Sequence, residues 1–272
     1  MNRRSFLKSL SAGVGCLVST GCVTVMGRSA GKRPDVLFIA IDDMNDWTTL
    51  FDPRNPIKTP NLVCLARRGM FSNTTAKPQN DPGSLKKMVQ SYQASADFAD
   101  QMVGRLLDKL DATGQAASTI IVLRADHGYH LGDKESCVKF TLWEKANHIP
   151  FIIVAPGVTK AGSRCDRPVS LIDIYPTLVD LAGLPPKQDV DGKSLVPLLT
   201  DPTKKWQPVL MTMGKGNHAV RSDRWRYILY KDGSQELYDH AKDPWEWNNL
   251  ASQPEYAEVI DEHKKWLPTN EK

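Results

Sequence analysis

The chain has 272 residues, of which 41% are hydrophobic and 24% charged, a balance that suits one globular domain with at most a small appendage. The formal net charge of +4 comes from residues 1–33, which hold Arg3, Arg4, Lys8, Arg28, Lys32 and Arg33 and no acid. Beyond them 29 basic residues face 31 acidic ones, so a basic surface for nucleic acid is not indicated.

The first stretch, Asn2-Arg3-Arg4-Ser5-Phe6-Leu7-Lys8, precedes a modest apolar run from Leu10 to Val18. A charged start, a short apolar middle and small residues after it predict an export signal over residues 1–32 rather than a membrane span. The paired arginines resemble a twin-arginine signal, which implies export of the folded chain to a periplasmic or extracellular place. Ser19-Thr20-Gly21-Cys22 faintly resembles a lipoprotein cleavage box, with Ser where Leu is usual. Of the five cysteines, Cys64, Cys137 and Cys165 lie beyond this leader, without metal-ligand spacing. At most one disulfide could form, and three ordinary thiols are expected.

Asp35 to Ile41 is an apolar run that reads as a buried strand and delivers Asp42-Asp43. A short helix is expected next, with Thr59 as its cap, Pro60 at its first position, Leu62, Leu65 and Ala66 inward, and Gly69 at its end. Met70 to Thr74 reads as a short strand. Residues 75–84 are polar and rich in Pro and Gly. A long helix follows over about 85–111, with Met88, Tyr92, Ala96, Ala99, Val103, Leu106 and Leu110 on one apolar face. Thr119 to Leu123 predicts a strand that leads to Asp126-His127-Gly128, with Gly128 permitting a sharp turn. A loop containing Lys139, a strand over 151–155 and a helix over about 173–182 come next. Trp225–Tyr230 and Glu236–Tyr238, joined by Asp232-Gly233, predict a small antiparallel hairpin. Strands alternating with helices argue an α/β sandwich.

Ligands in such sheets sit at the carboxyl ends of strands. Asp42, Asp43, Asp126 and His127 would stand there, and clustered carboxylates need neutralising. An oxygen-rich set suits a hard cation, Ca²⁺ or Mg²⁺. His130 could line the same pocket. His148, just before a strand, reads as structural, and His218 receives no role.

Several segments together resemble the sulfatase family: residues 33–43, Lys58–Leu62 with Leu65–Gly69, Ala125–Gly128 with Leu131-Gly132, Lys139–Glu144, Pro168–Leu178, and Glu236–Asp239 with Asp243-Pro244. The wording is closest to the iduronate-2-sulfatase-like branch, and the likeness runs in order over residues 33–250 except about 75–90. It implies an alkaline-phosphatase-like fold, with a central mostly parallel sheet flanked by helices and a small C-terminal antiparallel appendage. It divides the chain into a leader at 1–32, an α/β domain at 33–205 and a C-terminal subdomain at 206–272. It implies hydrolysis of sulfate esters of a small molecule or glycan, Ca²⁺ at Asp42, Asp43, Asp126 and His127, and contact of Lys139 with the sulfate.

The family's nucleophile is a cysteine in a Cys-x-Pro-Ser-Arg type motif shortly after the strand matching Met70–Thr74, oxidised to formylglycine. Cys64 is followed by Leu-Ala-Arg, Cys137 by Val-Lys-Phe and Cys165 by Asp-Arg-Pro, and none fits. A serine variant is absent too. The block between that strand and the long helix is shortened near 75–90. Three readings follow: an impaired sulfatase, a phosphate-ester hydrolase using Thr74 or Thr75, and a non-enzymatic binder of sulfated glycans.

Overall fold

The computed structural model describes residues 33–72, 84–137 and 139–269. The leader and Thr74 and Thr75 lie outside the described residues.

Five strands form the main sheet: β1 (Asp35–Ile41), β2 (Met70–Ser72), β3 (Thr119–Ala125), β4 (Phe151–Val154) and β5 (Ser163–Cys165). Their spatial order is β1-β3-β4-β2-β5. β1 pairs parallel with β3 and β2 with β5, while β4 runs antiparallel to both its neighbours. Four strands therefore share one direction, which is the mostly parallel sheet expected, with β4 reversed. β4 begins beside the end of β3, since Phe151 pairs with Arg124. The whole excursion from 126 to 150 thus leaves and re-enters the sheet at one end. Ile41 stands beside Ala125 in register, so β1 delivers Asp42 and Asp43 to that same end.

Every residue of β3 but Arg124 is buried, as expected of a strand covered on both faces. On one face Ile39, Ile121, Leu123, Ile152 and Val154 pack with Leu62 and Leu65 of α1 (Pro60–Arg68) and Ala96, Val103 and Leu107 of α2 (Ser84–Ala112). On the other, Ile120, Val122, Phe151 and Ile153 meet Ile174 and Leu181 of α4 (Ile174–Leu181) and Leu198 and Leu199 of α5 (Val196–Thr200). Between the layers' loops lies the short α3 (Glu144–Asn147). No described helix is long and apolar enough to cross a membrane.

Two local expectations are corrected. Thr59 makes no side-chain cap to α1. The Asp100 carboxylate of α2 caps it instead, accepting from the Asn61 and Leu62 amides at 3.1 and 2.8 Å. A carboxylate from a packed neighbour answers the helix's open N–H groups and also fixes α2 against α1. Gly128 does not adopt a positive φ. A Cβ there would lie 2.0 Å from the Lys145 carbonyl oxygen, so the glycine serves close packing, not a turn.

The C-terminal part is larger than the hairpin expected. β6 (Val209–Thr212), β7 (His218–Arg221), β8 (Trp225–Leu229) and β9 (Gln235–Asp239) make a four-stranded antiparallel sheet in sequence order. α6 (Ala257–Lys264) covers it through Ile260, which packs with Tyr227 and Leu237. Gly233, at φ 86, closes the β8–β9 turn as expected.

β1 is not the buried strand expected: it lies at the edge of the described sheet, and of its seven residues only Ile39 is buried. Val36 is 47% exposed and Phe38 45% exposed, although Ile120 and Val122 on the adjoining strand are buried. Such an edge invites pairing with another chain. The Arg124 guanidinium lies 5.7 Å from the Phe38 ring centre. Phe38→Glu places an acid beside that arginine and a charge on the edge. The expected outcome is less light scattering as the protein is concentrated, at an unchanged melting temperature. Scattering equal to that of the unaltered chain would mean the edge does not drive association.

Candidate cation site at the sheet end

β1 and β3 run parallel in exact step, so the residues after each strand emerge together. Asp42, Asp126 and His127 offer ligand atoms that all lie within 4.8 Å of one another. Asp43 joins them: its Oδ1 is 3.2 Å from His127 Nδ1, and its amide donates to Asp126 Oδ1 at 3.3 Å. His127 Nε2 lies 3.3 Å from Asp126 Oδ2. Lys139 Nζ donates to Asp43 Oδ1 at 3.0 Å. The four residues read from the sequence as ligands, and the lysine read as a sulfate contact, therefore meet at one place.

The charges do not balance. Three carboxylates face one ammonium, and the group is open to solvent on one side. Burial pushes the Asp126 carboxyl up, but the His127 and Asp43 amides and the imidazole outweigh it and hold the acid below its usual value. The Asp43 carboxylate, as hydrogen-bond acceptor, raises the Lys139 ammonium. Donors within 4.8 Å can share one ion at the roughly 2.3–2.6 Å typical of Ca²⁺–oxygen bonds. Two carboxylates and one imidazole within that distance, with the Asp43 carboxylate beside them, are a donor set whose chemistry fits a hard divalent cation.

The turn carrying Asp42 and Asp43 is held from three sides. Asp43 has a φ of 56, in the left-handed region. The Tyr92 hydroxyl of α2 donates to its carbonyl at 2.8 Å. Asn45 Nδ2 donates to the Tyr129 carbonyl at 2.8 Å, tying the two ligand segments together. Asp46, with 1% of its side chain exposed, accepts from Lys145 at 2.7 and 2.9 Å and faces His148 Nδ1 at 2.9 Å. Burial alone would raise the Asp46 carboxyl, yet Lys145 and His148 hold it below the usual carboxylate range.

His148 is thus structural, as read, and stacks edge-on against Phe51. His130 is buried with Nε2 at 2.7 Å from Thr141 Oγ1, apart from the ligand group. His218 Nδ1 lies 2.9 Å from Thr212 Oγ1 across the β6–β7 pair.

A second cluster, Glu144, His240 and Glu246, also has ligand spacing. Two guanidiniums already occupy it. Arg226 contacts Glu144 and lies 2.7 Å from Glu246, and Arg221 lies 3.1 Å from Glu144. The cations there are arginines, so this cluster is an ionic core. It joins α3 to the C-terminal sheet, and through α3 it supports the loop that bears Lys139. Tyr92, Asp46, Lys145 and this cluster were not legible as site supports. Tyr92 falls at helical core spacing, and the others depend on partners far along the chain.

Comparison with known proteins agrees with this geometry. The family model described as Sulfatase matches residues 68–184, and that described as N-sulphoglucosamine sulphohydrolase, C-terminal, matches 132–272. A sulfatase of Formosa agariphila is 42% identical over 187 residues, 68% of this chain and 37% of that one. A Delta 4,5-hexuronate-2-O-sulfatase of Bacteroides thetaiotaomicron is 29% identical over 239 residues, 83% of this chain and 47% of that one. A protein solved with its substrate D-glucosamine-2-N,6-O-disulfate superposes with a TM-score of 0.59 at 28% identity, over 68% of this chain and 41% of that one. A phosphonate monoester hydrolase from Silicibacter pomeroyi superposes with a TM-score of 0.61 at 29% identity, over 69% and 42%. The chain spans less than half the length of these relatives. The second family model alone matches more than half of the chain, and the Formosa agariphila relative aligns with more than two thirds of it: the chain belongs to the sulfatase family.

Proposed function

We propose that this chain keeps the cation and sulfate-binding half of a sulfatase site and lacks the nucleophilic half, so that it binds sulfate esters and hydrolyses them at trace rates. The observation that carries this is the convergence of Asp42, Asp43, Asp126, His127 and Lys139 at one sheet end, beside a chain with no nucleophile motif. Asp42, Asp43, Asp126 and His127 would hold the cation, Ca²⁺ by donor chemistry. Bound there, it would draw charge from a sulfate oxygen. The Lys139 ammonium would offer a second positive partner to the same anion. It would exchange its present contact with Asp43 for the ligand once the carboxylates were neutralised. β2 also ends at this sheet end, because Phe71 pairs with Ile152. An attacking group would have to come from the residues after it, and these hold no formylglycine-forming cysteine.

For the substrate class we propose a sulfated saccharide containing a 2-O-sulfated uronic acid. The support is the likeness to the hexuronate-2-O-sulfatase over 83% of this chain. The test is calorimetry with Ca²⁺ on the full chain and on Asp126→Ala. Binding by the former, and its loss in the latter, is the expected outcome. Equal heats from both would remove the cation site.

A further inference from the structure

We propose that Tyr92 is a positioning residue for the cation site, holding the Asp42–Asn45 turn in the conformation that aims its carboxylates at Asp126 and His127. This rests on the reading of that group as a cation site.

The argument starts from the backbone. Asp43 has a positive φ of 56, which aspartate reaches more readily than most residues but which leaves the turn free to choose other conformations unless a contact fixes it. The Tyr92 hydroxyl donates to the Asp43 carbonyl at 2.8 Å and accepts from the Asn45 amide at 2.8 Å. One oxygen thus bridges both sides of the turn. Asn45 is 2% exposed, so water has little access to replace that acceptor.

The ring acts on the other ligand segment. Tyr92 stacks on Tyr129, with centroids 6.3 Å apart and planes 28° from parallel. Tyr129 lies two residues after His127, and its carbonyl receives the Asn45 side chain. A single side chain of α2 therefore touches both of the segments that carry the group, at Asp43 on one and at Tyr129 on the other. Asp100, two turns further along α2, caps α1 and fixes the helix that carries Tyr92. The sheet brings Asp42-Asp43 and Asp126-His127 together, and Tyr92 sets the direction of the first pair.

A core residue and a positioning residue predict different results for Tyr92→Phe. The variant keeps the ring and its stacking and removes only the oxygen. Three measurements on the full chain separate them. Calcium calorimetry is expected to give about tenfold weaker binding, the scale of one or two lost hydrogen bonds. The melting temperature without calcium is expected to fall by only a few degrees, the scale of one buried amide left without its acceptor, with a smaller rise on adding calcium than the unaltered chain shows. Exchange of the Asn45 amide is expected to quicken, since its acceptor is gone. Unchanged calcium affinity, beside a parent whose binding Asp126→Ala abolishes, overturns the role of Tyr92 alone. Loss of the folded state in Tyr92→Phe overturns it too, because the residue would then be part of the core. A parent chain that binds no calcium overturns both this inference and the site on which it rests.

Discussion

Hydrolysis of a chromogenic aryl sulfate is expected to stay at trace level, even for calcium-loaded full chain coexpressed with a formylglycine-generating enzyme. The reason is the placement of the thiols. Cys64 sits within α1, 3.9 Å from the Arg68 guanidinium, and Cys165 is buried on β5. Cys137 is exposed, in the loop before Lys139. None lies in residues 73–83, the stretch directly after β2. Loss of a nucleophile in a hydrolase costs on the order of 10⁶ in kcat, while the surrounding electrostatics retain roughly 10³–10⁴ over water. On the proposed reading, Asp42, Asp43, Asp126 and Lys139 would make up that electrostatic part. Hydrolysis over many turnovers that disappears in Asp126→Ala would overturn this expectation. Thr74 and Thr75, on the stretch after β2, would then be the first residues to change.

Glu144→Ala is expected to cost the protein about 3–5 kcal/mol, the scale of removing one partner from a buried ion pair. Glu144 and Glu246 answer Arg221 and Arg226, two acids to two bases. Arg226 has 1% of its side chain exposed, so it cannot turn to water when Glu144 is removed. The Glu144 amide donates to Glu246 at 2.9 Å, a bond the substitution keeps, so the loss is confined to the side chain's ion pairs. Urea unfolding at neutral pH measures it, and a cost below 1 kcal/mol would mean the cluster is solvated or rearranged. The same network fixes the acid response. Burial opposes ionisation of Glu144, but Arg221, Arg226 and His240 hold its acid well below the usual 4.5. Lys145 and His148 similarly hold Asp46 below 3.8 against its burial. Both carboxyls have folded values depressed below their unfolded ones. Their contribution is therefore complete above about pH 4.5 and is lost as pH falls through the lower folded values. The gap between the parent and Glu144→Ala is expected to narrow at acid pH. A gap that stays constant would assign the effect to packing instead.

The sequence alone determined the elements whose signal is local. β1 and β3 are runs of apolar residues long enough to cross the sheet, and each ends in an acid that cannot continue such a run. The periodicity of α2 and the glycine after it likewise lie within one window. Asp42-Asp43 and Asp126-His127 were legible as a candidate site because both stand at strand ends, and the pairing of β1 with β3 in register brings those ends together. The absent nucleophile motif was legible for the plainest reason: it would be a contiguous word.

What tertiary structure decided depends on residues far apart in the chain. Arg226 and Glu144 are separated by 82 positions and Arg221 and Glu144 by 77, and neither pair leaves a pattern in any short window. Thr59 has the chemistry of a cap, but Asp100 reaches the α1 amides first because α2 packs across that end. Gly128 looks like a turn residue, and only the approach of the Lys145 carbonyl shows why a side chain would not fit. Tyr92 has the spacing of a core residue, and its hydroxyl gains meaning only when the Asp43 turn arrives beside it. Periodicity reports which face of an element is buried. It does not report which polar group on another element will meet that face, because chain topology sets that meeting.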